Sequence, residues 1–118
     1  MQDGFVKVAA VTPEVRVADV AFNVASCVKR AREACEEMGA VVVVLPELCL
    51  TAYTCEDLFW QDALLDAAEK GLADFAQQTS DLNALLWVGL PVRVNAKLYN
   101  CAAAVCAGMV LGVVPKRH

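Results

Sequence analysis

The sequence has a single histidine, His118, and no Cys-x-x-Cys pair, which leaves it without a zinc-type ligand set. It has no basic run. Ten Lys and Arg against 14 Asp and Glu give a net charge of −4, so nothing here would grip a nucleic-acid backbone. Neither G-x-G-x-x-G nor a P-loop occurs, and Gly4, Gly39, Gly71, Gly89, Gly108 and Gly112 are too scattered to cradle phosphate. Only 20% of the residues are charged, which excludes intrinsic disorder. The start of the chain carries Asp3 and Lys7, with no basic segment and no small-residue cleavage site. The expected compartment is therefore cytoplasmic, with the six cysteines reduced.

Apolar residues are abundant instead. They make up 58% of the chain, against the roughly 45–50% of an ordinary soluble domain. At 118 residues the chain suits one small domain or part of a larger one. Some apolar surface is thus expected to be covered by the rest of a longer chain or by another subunit, and a homo-oligomer is expected. The uncharged stretch from Leu98 to Pro115 has 18 residues, the lower limit for a spanning helix. Its Asn100, Gly108, Gly112 and Pro115, and its many valines, favour two buried strands joined at Ala107-Gly108, with no membrane involved.

Phe5–Val11 reads as a strand ended by Thr12-Pro13. Asp19 can cap a helix whose Val20, Val24, Cys27, Val28, Ala31, Ala34, Cys35 and Met38 recur at helical spacing, and Gly39 suits its left-handed stop. Val41–Leu45 reads as a strand buried on both faces, ended by Pro46. Asp62–Thr79 is a second helix with Asp62, Asp66, Lys70 and Asp74 at i,i+4 steps on its wet face, where Asp66 and Asp74 can pair with Lys70. Ala84–Val94, Leu98–Ala107 and Met109–Val114 complete the strands, with a hairpin turn at Asn95-Ala96. A strand–helix–strand start with near-continuous apolar strands argues a layered α/β fold, helices on one face of the sheet and a second sheet on the other.

Two segments share one design. Val41–Glu47 is an apolar strand, a proline and an acid; Leu111–Lys116 is an apolar strand, a proline and a base. Ligands of open α/β sheets collect beyond the carboxyl ends of strands. If both strands run the same way, Glu47 and Lys116 meet there; otherwise they are two surface residues that pair elsewhere.

Those residues also carry a resemblance. Leu45-Pro-Glu-Leu-Cys-Leu-Thr-Ala-Tyr53 is similar to the catalytic-glutamate motif of the nitrilase (carbon–nitrogen hydrolase) superfamily, and Gly-Val-Val-Pro-Lys116 to its catalytic-lysine motif. Leu98-Tyr-Asn-Cys-Ala-Ala-Ala-Val105 resembles the strand before it. Tyr53-Thr-Cys-Glu-Asp-Leu-Phe59 with Gln61-Asp-Ala-Leu-Leu65 narrows the likeness to the glutaminase domain of the glutamine-dependent NAD synthetases. The resemblance implies an α/β fold, a partial αββα sandwich in which residues 1–118 form about the N-terminal half of the glutaminase domain.

It also implies a Glu–Lys–Cys triad, with Glu47 matching the general base and Lys116 the oxyanion-stabilising lysine. Tyr53, beside the Glu47 motif, is the candidate glutamine-binding residue. The family nucleophile lies downstream of the lysine motif, and none of the six cysteines in this sequence occupies its position. Cys49 and Cys55 flank the Glu47 motif, and Cys49 reads as a small apolar filler. The chain by itself is therefore expected to be inactive. Ala52 stands where the family usually has glycine. No cofactor or metal is expected in this segment; ATP and Mg belong to the synthetase domain of a full-length parent, the implied partner of this chain. Another amidase of the superfamily, or a non-catalytic interaction module, are the alternative readings.

Overall fold

The computed structural model describes residues 6–51, 62–95 and 97–116. The elements run β1 (Val8–Ala10), α1 (Val20–Met38), β2 (Val42–Val44), α2 (Asp62–Gln78), β3 (Leu85–Val94), β4 (Lys97–Cys106) and β5 (Met109–Pro115). They build a mixed five-stranded sheet in the order β1-β2-β3-β4-β5. The first three strands are parallel; β4 is antiparallel to both β3 and β5. Two reversals return β5 to the direction of β2, so both strands deliver their C-terminal ends to the same edge of the sheet.

Helix α1 starts and stops by local rules. The Asp19 carboxylate accepts from the Phe22 amide at 3.1 Å, satisfying a donor that the first turn of α1 leaves open. At the other end Gly39 adopts φ 69°, and the Ala40 amide donates back to the Ala34 carbonyl at 3.0 Å. The expected turn at Ala107-Gly108 forms with φ of 51° and 82°, the two left-handed residues that a two-residue hairpin needs to follow the strand twist. Leu98–Pro115 accordingly lies in β4 and β5. Among the described residues no helix is long and apolar enough to cross a membrane.

The core lies on the helix side of the sheet. Val43, Leu86, Val88, Ala103 and Val105 are buried there with Val24, Cys27 and Ala31 of α1 and Leu72 and Phe75 of α2. The opposite side corrects two expectations. Val43 is fully buried, but Val44 is 41% exposed, so β2 is covered on one face only. All of β5 is exposed, not buried, with Leu111 at 60%. The reason is topological: α1 and α2 pack against each other on one face, and no described element covers the other. Two smaller corrections follow. β1 is the three residues Val8–Ala10, paired with the three of β2, shorter than the expected Phe5–Val11, of which Phe5 lies outside the described residues. Met38 of α1 is exposed, and the buried stripe contains Asn23 in its place. On α2, Asp62 pairs with Arg93 of β3.

Candidate active site

β2 ends at Val44, and Pro46, two residues on, has no amide to extend the ladder. The chain then turns sharply at Leu48, a non-glycine residue held at φ 53°. That conformation is sterically costly for a residue with a Cβ and persists only where the surroundings enforce it. β3 enforces it from below. The Leu45 amide donates to the Trp87 carbonyl at 2.9 Å and the Leu50 amide to the Gly89 carbonyl at 3.3 Å. Gly89 allows this approach: a Cβ there would fall 2.7 Å from the Pro46 carbonyl oxygen and 2.9 Å from the Glu47 carbonyl carbon, inside any permitted contact. A third support comes from α1. Asn23, fully buried, donates through Nδ2 to the Leu50 and Arg16 carbonyls at 2.9 and 2.8 Å and accepts from the Arg16 amide at 2.7 Å.

The loop so held presents Glu47 over the C-terminal edge of the sheet. Lys116 arrives there directly after β5, registered against β4 by its own amide, which donates to the Asn100 carbonyl at 2.8 Å. Lys116 Nζ lies 3.7 Å from Glu47 Oε2, and Asn100 Nδ2 donates to Glu47 Oε1. The two residues singled out in the sequence are thus brought together. Tyr53 lies outside the described residues, as do Ala52 and Cys55.

The pair borders a cavity of about 310 Å³, whose wall includes Val44, Trp87, Gly89, Cys101 and Ala102. Glu47 is 28% exposed and Lys116 47% exposed. An ion pair this open to water adds only about 0–1 kcal/mol to stability. Its placement on an apolar hollow is better suited to charge chemistry: a carboxylate that can take a proton beside an ammonium that can face a developing negative charge.

A nucleophile is not evident among the described cysteines. Cys27 and Cys49 are sealed beneath the loop at 0% and 2% exposure. Contact with Cys49, and then burial, hold the Cys27 thiol well above its ordinary range. The Cys49 thiol donates to the Gly89 carbonyl at 3.7 Å. Cys101 borders the cavity, but burial pushes its thiol up, away from the reactive thiolate. Among the described residues no three His, Cys, Asp or Glu side chains gather closely enough to hold a metal ion.

The sequence pattern of carbon-nitrogen hydrolases matches residues 7–118. This chain belongs to the carbon-nitrogen hydrolase family. The chain is 46% identical over 117 residues to a glutamine-dependent NAD(+) synthetase of Mycobacterium bovis, a match that takes in 99% of this chain and 17% of that protein. The crystal structure of a glutamine-dependent NAD(+) synthetase from Cytophaga hutchinsonii superposes with a TM-score of 0.86 at 28% identity, over 96% of this chain and 19% of that one. A crystal structure of an amidase from Nesterenkonia sp. shares the fold, with a TM-score of 0.76 at 21% identity, over all of this chain and 45% of the amidase. The carbon-nitrogen hydrolase sheet, with its helices on one face, is what the five strands and two helices of this chain reproduce in part.

The acid and the base of this site are marked in the sequence, but their supports are not. Gly89, inside an apolar strand, was a readable sign of close backbone approach. Asn23 and Asn100 are polar residues within apolar patterns, and that mismatch was the available signal.

Proposed function

We propose that residues 1–118 are the N-terminal part of the glutaminase domain of a glutamine-dependent NAD(+) synthetase, a cytoplasmic homo-oligomer that hydrolyses glutamine to supply ammonia for amidation of deamido-NAD. The observation that carries this reading is the convergence of Glu47 and Lys116 at 3.7 Å on one cavity. The 46% identity to a glutamine-dependent NAD(+) synthetase supports glutamine as the amide.

In this mechanism the Glu47 carboxylate takes the proton of a cysteine thiol supplied from downstream in the parent chain. The thiolate attacks the side-chain carboxamide carbon of glutamine. The Lys116 ammonium offsets the negative charge on the carboxamide oxygen in the tetrahedral intermediate. Glu47 returns its proton to the departing nitrogen, the C–N bond breaks, ammonia leaves, and the acyl group stays on the cysteine as a thioester. A water molecule, deprotonated by Glu47, then attacks the thioester, and glutamate and the thiol are released. The synthetase domain, with ATP and Mg, consumes the ammonia. Tyr53 is assigned to the glutamine pocket from its nearness in sequence to Glu47.

The exposed face of the sheet fits the same reading. In the parent chain the rest of the domain covers Val44, Leu111 and their neighbours, which accounts for the high apolar content of this segment.

The test uses the full-length protein. Glu47→Gln abolishes synthesis from glutamine and spares synthesis from added ammonia, both measured as NAD formed from ATP and deamido-NAD. Equal loss of the two activities would rule out Glu47 as the general base. The 118-residue chain alone releases no glutamate from glutamine; sustained release would show that the nucleophile lies within it.

A further inference from the structure

From the geometry we infer that Asn100 is a positioning residue that sets both members of the charged pair at once; this rests on the functional reading above. Asn100 lies on β4, opposite Pro91 of β3. Its two ends reach different partners. The side-chain Nδ2 donates to Glu47 Oε1, and the backbone carbonyl accepts from the Lys116 amide at 2.8 Å. One residue in the middle of a sheet thereby links the loop after β2 to the end of β5.

The orientation of the amide is dictated by charge. An ionised carboxylate only accepts, so the NH₂ end faces Glu47 and the carbonyl end faces away. That carbonyl, Oδ1, is buried with no hydrogen-bond partner. A buried orphan acceptor costs stability, so an asparagine at this position is poorly explained as a packing residue. The Nδ2 donor to Glu47 is what this side chain contributes.

The consequence is a carboxylate held at one oxygen by Asn100 and faced at the other by Lys116. Asn100 holds Oε1, and Oε2 is the oxygen on the Lys116 side, 3.7 Å from Nζ. This fixes the rotation of the carboxyl group, and with it the oxygen that can accept a proton from an incoming thiol. Without the donor, Glu47 can rotate, and productive geometry is reached less often.

The experiment compares the unsubstituted full-length protein with Asn100→Leu, which removes the donor at similar size, and Asn100→Asp, which keeps the shape and repels Glu47. In both variants kcat for glutamine falls about 10- to 100-fold, the range for one hydrogen bond to a charged group, with KM for glutamine unchanged. Synthesis from ammonia is unaffected, which confirms that the variants fold. Crystal structures of the variants show the Glu47 carboxylate rotated or spread over rotamers, with the Leu48 turn in place. Full glutamine turnover in both variants, or a Glu47 carboxylate that stays put, overturns the inference. If the unsubstituted protein turns over no glutamine, the functional reading fails instead, and the crystal structures alone decide the role of Asn100.

Discussion

Gly89 passes so close beneath Leu48 that a single added carbon on Gly89 would overlap the backbone of the Glu47 loop. The neighbours are main-chain atoms, which cannot rotate aside. Gly89→Ala therefore destabilises the protein by about 1–3 kcal/mol as overpacking. It also displaces Glu47 and lowers glutamine turnover at least ~10-fold. Gly112, with nothing within 4 Å of its would-be Cβ, is the control: Gly112→Ala stays within about ±0.5 kcal/mol. Urea denaturation of the two variants, alongside glutamine turnover, checks the contrast.

Asn23 supports the loop from α1. Replacing it with leucine leaves the Leu50 carbonyl and both backbone groups of Arg16 without their present partner. The loss is about 1–3 kcal/mol, chiefly from the buried Leu50 carbonyl, since the exposed Arg16 keeps the Asp19 amide on its carbonyl at 3.3 Å. Chemical denaturation measures it. An Asn23→Leu protein as stable as the parent would mean that water replaces these bonds.

Arg32 of α1 donates to both carboxylate oxygens of Asp81, at 2.8 and 2.9 Å, and ties the end of α1 to the turn after α2. The Arg32 guanidinium holds the Asp81 carboxyl below its usual 3.8. A depressed carboxyl stabilises the fold fully above its unfolded value and loses that contribution as pH falls through the folded value. Below pH ~4, then, this tie weakens. Carboxyl titration by NMR gives an Asp81 midpoint under 3.8, and Arg32→Ala moves it back up. An unchanged midpoint in the variant would show that the pair does not persist in solution.

Leu111, 60% exposed on the open face, tests what covers the sheet. If the rest of the parent domain packs on this face, Leu111→Asp places an unpaired charge in an apolar interface. Thermal denaturation of the full-length protein then drops sharply, by more than the few degrees of an ordinary surface change. A shift within that surface range would show that the face stays open to water.

Local signals determined the elements. Asp19 and Gly39 marked the ends of α1 because capping depends on neighbouring residues alone, and the Ala107-Gly108 turn was legible because a two-residue hairpin needs left-handed residues. The two proline-ended strands marked Glu47 and Lys116 as candidates. Their meeting required facts that lie far apart in the chain. Two antiparallel reversals turn β5 parallel to β2, and Gly89 lets the Glu47 loop settle onto β3. Which face of β2 is covered was likewise decided by both helices packing on one side, since Val43 and Val44 are the same residue type with opposite fates. Caps and turns act over a few residues and can be read in order. Pairing, coverage and the orientation of Glu47 by Asn100 depend on segments meeting in space, and only the folded chain brings them together.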